Sequence, residues 1–99
     1  MSLLVHYTLK SEDHHEAQKL AMSNLVEGLK SENLTGLHYS CFATEDPLQF
    51  VGVLEYRNDA EKQAFLSSEA FAAYREAVGP TFSNPPRTTE ISEIASTRD

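Results

Sequence analysis

The side chains of this chain that can do more than pack or carry a fixed charge are four histidines, four tyrosines and one cysteine. His6 and His38 each fall in the middle of an alternating stretch, where a side chain projects squarely from a strand. Imidazole is the natural base near neutral pH, so either one could accept a proton from a bound ligand. The other reading is a pair of hydrogen-bonded side chains in a subunit interface. Tyr7, Tyr39, Tyr56 and Tyr74 offer phenol donors or aromatic walls, and equally a packed core with polar tips. His14-His15-Glu16 looks like a metal cluster on paper. Neighbouring helix residues point about 100° apart, however, so they cannot chelate as an i, i+4 pair does, and a solvated helix start is expected. Cys41 is alone, so it forms no internal disulfide and no CxxC pair; a small buried hydrophobe is expected. Arg57 and Arg75 could clamp a carboxylate, but Glu61 and Glu76 are near enough to pair with them. No GxGxxG, P-loop, GxSxG or HExxH occurs, so no nucleotide, flavin or metal cofactor is expected.

The elements that hold these residues follow from periodicity. Residues 3–10 read as a strand, with Val5, Tyr7 and Leu9 on one face and Leu4, His6 and Thr8 on the other. Asp13 and Glu16 have capping-box spacing. A helix follows from His14 to Glu32, and its apolar half carries Ala17, Ala21, Met22, Leu25, Val26 and Leu29. Gly28 costs that helix up to about 1 kcal/mol relative to Ala, which a close approach to a strand would explain. Residues 33–36 read as a turn. Residues 37–45 and 49–57 read as an antiparallel hairpin turning at Asp46-Pro47. Gly52 in mid-strand suggests a bulge or a close contact. Two short helices are expected at 60–66 and 69–78, the second capped by Ser68 and burying Phe71, Tyr74 and Val78. Gly79-Pro80 and Asn84-Pro85-Pro86 end it. A last, polar strand is expected at 88–95, with a tail from 96 to 99.

The order β-α-β-β-α-β with right-handed crossovers puts both helical layers on one face of a four-stranded sheet. The expected fold is α+β, a ferredoxin-like sandwich formed by one domain over 1–99. Its other face would carry Phe42, Val51, Val53 and Ile91. Exposed apolar patches of such size mark interfaces, so a homodimer built on facing sheets is expected. Length agrees with one modest core. Fifteen acidic against eight basic residues give a net charge of −7. That balance disfavours nucleic acid and anionic membrane surfaces as partners. No stretch is long and apolar enough to span a bilayer, and the first ten residues lack the pattern of a signal peptide. A cytoplasmic location is expected.

The stretch 56–78, YRNDAEKQAFLSSEAFAAYREAV, resembles the signature of the antibiotic biosynthesis monooxygenase family. These are small dimeric α/β-barrel proteins that include quinol monooxygenases. The matching residues are Tyr56, the Asn58-Asp59 turn, and Ala64, Leu66, Ser68, Phe71, Ala73 and Tyr74; Gly36-Leu37-His38 matches as well. At three positions where the family carries a Glu and two His, this chain carries Leu54, Phe65 and Ala70. The resemblance implies oxidation of an electron-rich aromatic by dioxygen without a cofactor. That chemistry needs a base, a donor for the resulting anion and a dry aromatic pocket.

On that basis His38 and His6 are the candidate catalytic bases, and Tyr56, Tyr7 and Tyr74 the candidate substrate-binding residues, with no metal. Tyr56 is the first choice among the tyrosines because it holds the family's aromatic strand position. The expected function is a cofactor-independent monooxygenase of a small quinol- or phenol-like aromatic. The alternative is a non-catalytic binding or stress-response module of the same dimeric fold. Haem degradation would need a histidine in 60–78, and none occurs there.

Overall fold

The structure, a computed structural model, describes residues 1–34 and 36–98. Thr35, inside the expected turn at 33–36, and Asp99, at the end of the expected tail, lie outside the described residues. The elements are β1 (Ser2–Thr8), α1 (His15–Ser31), β2 (His38–Ala43), β3 (Gln49–Glu55), α2 (Asp59–Leu66), α3 (Glu69–Val78) and β4 (Arg87–Ile91). The four strands form one antiparallel sheet in the order β2-β3-β1-β4. This is the expected α+β sandwich.

Local chemistry sets the helix starts. Asn58 accepts from the Glu61 amide at 3.0 Å to open α2, and Ser68 accepts from the Phe71 amide at 3.1 Å to open α3. Each satisfies one of the free amides of a first turn. The capping box expected at Asp13 does not form. Ser11 instead accepts from the Asp13 amide at 3.2 Å and opens a 3-10 turn over Glu12–His14, and α1 begins beyond it without a side-chain cap. The last strand is shorter than expected. It stops at Ile91 because Ile91 lies opposite Ser2, the first residue of β1, and no partner remains beyond it.

Strand register sorts every sheet residue to a face, because paired residues project the same way. Towards the helices stand Tyr39, Leu54 and Leu3 in one row, then Cys41, Gly52 and Val5, then Ala43, Phe50 and Tyr7. These rows meet Met22, Leu25 and Leu29 of α1 and Phe65, Phe71, Tyr74 and Val78 of α2 and α3 to make the core. The opposite, outer face carries His38, Glu55, Ser2 and Ile91 in an end row. Its next row is Ser40, Val53, Leu4 and Thr89, followed by Phe42, Val51, His6 and Arg87. Among the described residues no element covers this face; Phe42 remains 52% and Ile91 40% exposed.

Gly28 does make a close contact, but with a helix and not with a strand. A Cβ on it would stand 2.8 Å from the Cβ of Ala70 in α3. Gly52 leaves the β2–β3 register unbroken, so it is not a bulge. Its missing side chain makes room for the ring and hydroxyl of Tyr39.

Candidate functional site

The structure distributes the candidate residues over two faces. Alternation along β1 places His6 on the outer face, beside Val51 and Arg87, and Tyr7 on the inner face, fully buried. His6 and Tyr7 therefore do not share a site. His38 stands in the end row of the outer face, opposite Glu55. Tyr56 is buried just past the end of β3, with the Lys62 ammonium 5.9 Å from its ring centroid. His38 and Tyr56 both line a depression of about 380 Å³, together with the N-terminal residues, Glu55, Arg57 and Glu93. That rim is charged on all sides and suits an apolar ring poorly.

Tyr7 and Tyr74 do come together, with ring centroids 5.7 Å apart at an edge-on angle of 74°. They belong to a buried phenol cluster. The Tyr7 and Tyr39 hydroxyls lie 2.6 Å apart. Tyr39 starts two inward rows away from Tyr7 and reaches it across Gly52, in the row between, beside Cys41. Tyr74 accepts from Gln18 Nε2 at 2.6 Å. The other amide atom, Gln18 Oε1, is buried and has no partner among the described residues. Burial raises the pKa of all three tyrosines above the ordinary phenol range, so each keeps its hydroxyl proton near neutral pH. Burial also pushes the Cys41 thiol up to about 11, so no thiolate forms near neutral pH.

Periodicity did not single out Gln18. Its signal was there: Gln18 precedes Met22, Leu25 and Leu29 at i, i+4, i+7 and i+11, so a polar residue heads the inward stripe of α1. Of the three positions where the resembled family carries polar residues, Leu54 and Phe65 lie in the core and Ala70 packs against it. Leu54 and Phe65 are fully buried. Phe65 fills the space between Tyr39 and Phe71, at ring distances of 4.7 and 4.9 Å. Ala70 gives α1 room to approach at Gly28.

One of several depressions lies between α1 and β2, where the edge strand runs out from under the helix. A depression of about 400 Å³ is bounded by Lys19, Met22 and Val26 on α1 and by Cys41, Phe42 and Phe50 on the sheet. A second, of about 240 Å³, adjoins it at Val26 and is bounded by Leu29, Leu34, Leu37, His38 and Tyr39. The two adjoin into a groove whose walls are mixed: Met22, Val26, Leu29, Cys41 and Phe50 are apolar, Lys19, Ser23, Glu27 and Lys30 stand along the helix side, and His38 and Tyr39 line its β2 end. His15, from the expected solvated helix start, is engaged elsewhere. Its Nδ1 donates to the Pro47 carbonyl at 2.9 Å, and its ring packs 5.0 Å from Phe50. Among the described residues no cluster of three or more His, Cys, Asp or Glu side chains is placed to hold a metal ion, and no helix is long and apolar enough to cross a membrane.

A four-stranded antiparallel sheet with its helices on one face defines the class: an α+β protein of ferredoxin-like fold. The chain is similar to a protein from Nitrosomonas europaea named as a candidate antibiotic biosynthesis monooxygenase, with a TM-score of 0.83, 20% identity, and coverage of 94% of this chain and 88% of that one. It is similar to a structure named antibiotic biosynthesis monooxygenase (TM-score 0.79, 15% identity, 96% and 100% covered). It is also similar to PA3566 from Pseudomonas aeruginosa (TM-score 0.78, 20% identity, 95% and 93% covered). At such identities the likeness is one of fold, and it is the fold that the 56–78 motif implies. No protein-family model matches the chain, and no curated protein matches it in sequence.

Proposed function

We propose that this protein is a cofactor-independent monooxygenase of a small quinol- or phenol-like aromatic, bound in the groove between α1 and β2. One observation carries the reading: His38 and Tyr39 line the β2 end of a groove with apolar walls on the sheet side and room for a fused ring system. In this reading His38 takes the proton of the substrate hydroxyl. The electron-rich anion then reduces dioxygen. A carbon–oxygen bond forms, and the resulting hydroperoxide loses water to leave a quinone, the proton returning from His38 to the departing oxygen. The protein supplies the base, the donor and the exclusion of water. Tyr56 orients material arriving from the charged depression on the other side of His38. Tyr7 and Tyr74 act from behind the groove wall. His6 belongs to the outer face, which a second copy covers in a homodimer, and the protein works in the cytoplasm.

A second reading has a specific observation in its favour. Leu54, Phe65 and Ala70 fill the helix–sheet interior where the family's polar residues would stand. A non-catalytic binding module would use the same groove without turnover.

Oxygen uptake against a panel of quinols and naphthols separates the two. The enzyme reading expects stoichiometric uptake and a loss of about 100-fold or more in His38→Ala, the usual worth of a positioned base. Binding of the aromatics with no uptake leaves the module. Equal rates for wild type and His38→Ala remove His38 as the base.

A further inference from the structure

Of the two arginines whose type suggests a carboxylate clamp, Arg57 is engaged by Glu61, with Nη2 2.6 Å from its carboxylate. Arg75 is not engaged. The other helix cations each reach an acid three residues earlier: Lys19 to Glu16, Lys30 to Glu27 and Lys62 to Asp59, at 3.8, 3.6 and 3.5 Å. Three residues before Arg75 stands Ala72, and four after it stands Gly79. Glu76 projects about 100° further round the helix, and among the described residues Arg75 makes no ion pair. Its guanidinium lies over the Phe71 ring instead, 5.2 Å from the centroid. Stacking on an aromatic face leaves the N–H edge of the fork for a planar anion.

Arg75 borders a depression of about 290 Å³ walled by Phe82, Pro85 and Pro86, with Ser83 and Asn84 beside them. The wall is held in place. The Ser83 amide donates to the Thr8 carbonyl at 2.9 Å and the Lys10 amide to the Thr81 carbonyl at 2.8 Å, which ties the segment to the end of β1. The two prolines fix their own backbone angle. Gly79 leaves its side open, since a Cβ there would meet nothing within 4 Å. A net charge of −7 gives no general attraction for anions, so anion binding at this point depends on the local arrangement.

We propose that this depression is a binding site for a small organic carboxylate, with the Arg75 fork taking the carboxylate and Phe82, Pro85 and Pro86 the apolar body. A guanidinium meets a carboxylate with two parallel N–H donors. The site therefore selects molecules that carry both halves: acetate lacks the body, and benzyl alcohol lacks the charge. It shares no residue with the α1/β2 groove and stands or falls apart from it.

Benzoate is the probe, titrated against the whole chain and followed by amide NMR shifts, with acetate and benzyl alcohol beside it. Benzoate is expected to bind with a dissociation constant of about a millimolar, at least about tenfold more tightly than either of the others, and to shift the Ser83 and Asn84 amides. Arg75→Gln is expected to weaken benzoate about tenfold. Gly79→Leu is expected to fill the depression and remove binding, with the fold intact because open space receives the added side chain. The amide spectrum of each variant checks its fold. Acetate binding as tightly as benzoate shows pairing with an exposed guanidinium only and overturns the site. Equal affinities for benzoate and benzyl alcohol overturn it too, as do no binding of benzoate or an unchanged benzoate affinity in either variant.

Discussion

Gly28 of α1 and Ala70 of α3 meet with no side chain between the helices beyond one methyl group; a Cβ on Gly28 would stand 2.8 Å from that methyl. The contact explains two features of the chain at once. A glycine interrupts an otherwise regular amphipathic helix, and the facing helix carries only a small alanine at the point of contact. Just beyond the contact, Glu32 accepts from the Ala70 amide at 2.8 Å and fixes the crossing.

Gly28→Ala gains about 1 kcal/mol of helix propensity. It also forces two methyl groups into overlap, and overpacking typically costs about 1–3 kcal/mol. Urea denaturation is expected to show net destabilisation. Adding Ala70→Gly should restore part of the loss, because it removes the second methyl. A more stable single variant would show that the crossing relaxes freely.

The Gln18–Tyr74 contact makes a second, non-additive prediction. Tyr74→Phe leaves the Gln18 amide buried without its one partner, so it is expected to cost about 1–3 kcal/mol. Gln18→Leu added to Tyr74→Phe removes both polar groups, including the orphan Oε1. The double variant is expected to be more stable than Tyr74→Phe alone. A double-mutant cycle by denaturant unfolding measures it, and strictly additive effects would mean the two side chains do not act as a pair.

Alkaline pH should unfold the protein earlier than its composition suggests. Burial pushes the Cys41 thiol up to about 11 from its ordinary 9.0, and raises Tyr7, Tyr39 and Tyr74 above their ordinary 10.0. These groups are neutral when protonated, so the unfolded chain releases protons first as pH rises. Their stabilisation is complete below the ordinary values and falls as pH climbs past about 9 for the thiol and about 10 for the phenols. Urea midpoints should therefore drop between about pH 8 and 11. The drop should be shallower in Tyr39→Phe. Cys41 in the folded protein should react slowly with thiol reagents at neutral pH.

The outer face makes the fourth prediction. Val53 sits in a row with Leu4, Ser40 and Thr89 on the uncovered side of the sheet. Sedimentation equilibrium is expected to give the mass of two chains for wild type and of one for Val53→Lys, with the monomer still folded. A wild-type protein that stays single at tens of micromolar would rule out the facing-sheet pair.

Strand alternation, the inward helix stripe and the Ser68 cap were legible along the chain, and with them the sheet and its faces, whereas the capping box read at Asp13 does not form. They were legible because each depends on residues within a few positions of one another. Alternation alone put His6 and His38 on one face and Tyr7 and Tyr39 on the other. The strand ends were less legible, because β4 stops where β1 runs out and not where its own pattern fades.

What tertiary structure decided are the contacts between distant parts of the chain. Tyr7 and Tyr39 are 32 residues apart and Gln18 and Tyr74 are 56 apart. No period links such positions; only the stacking of helices on a register-fixed sheet brings them together. The same stacking leaves the edge strand β2 half-covered, which opens the groove beside α1. Residue types thus set which groups face inward, and the packing of layers set which of those groups meet.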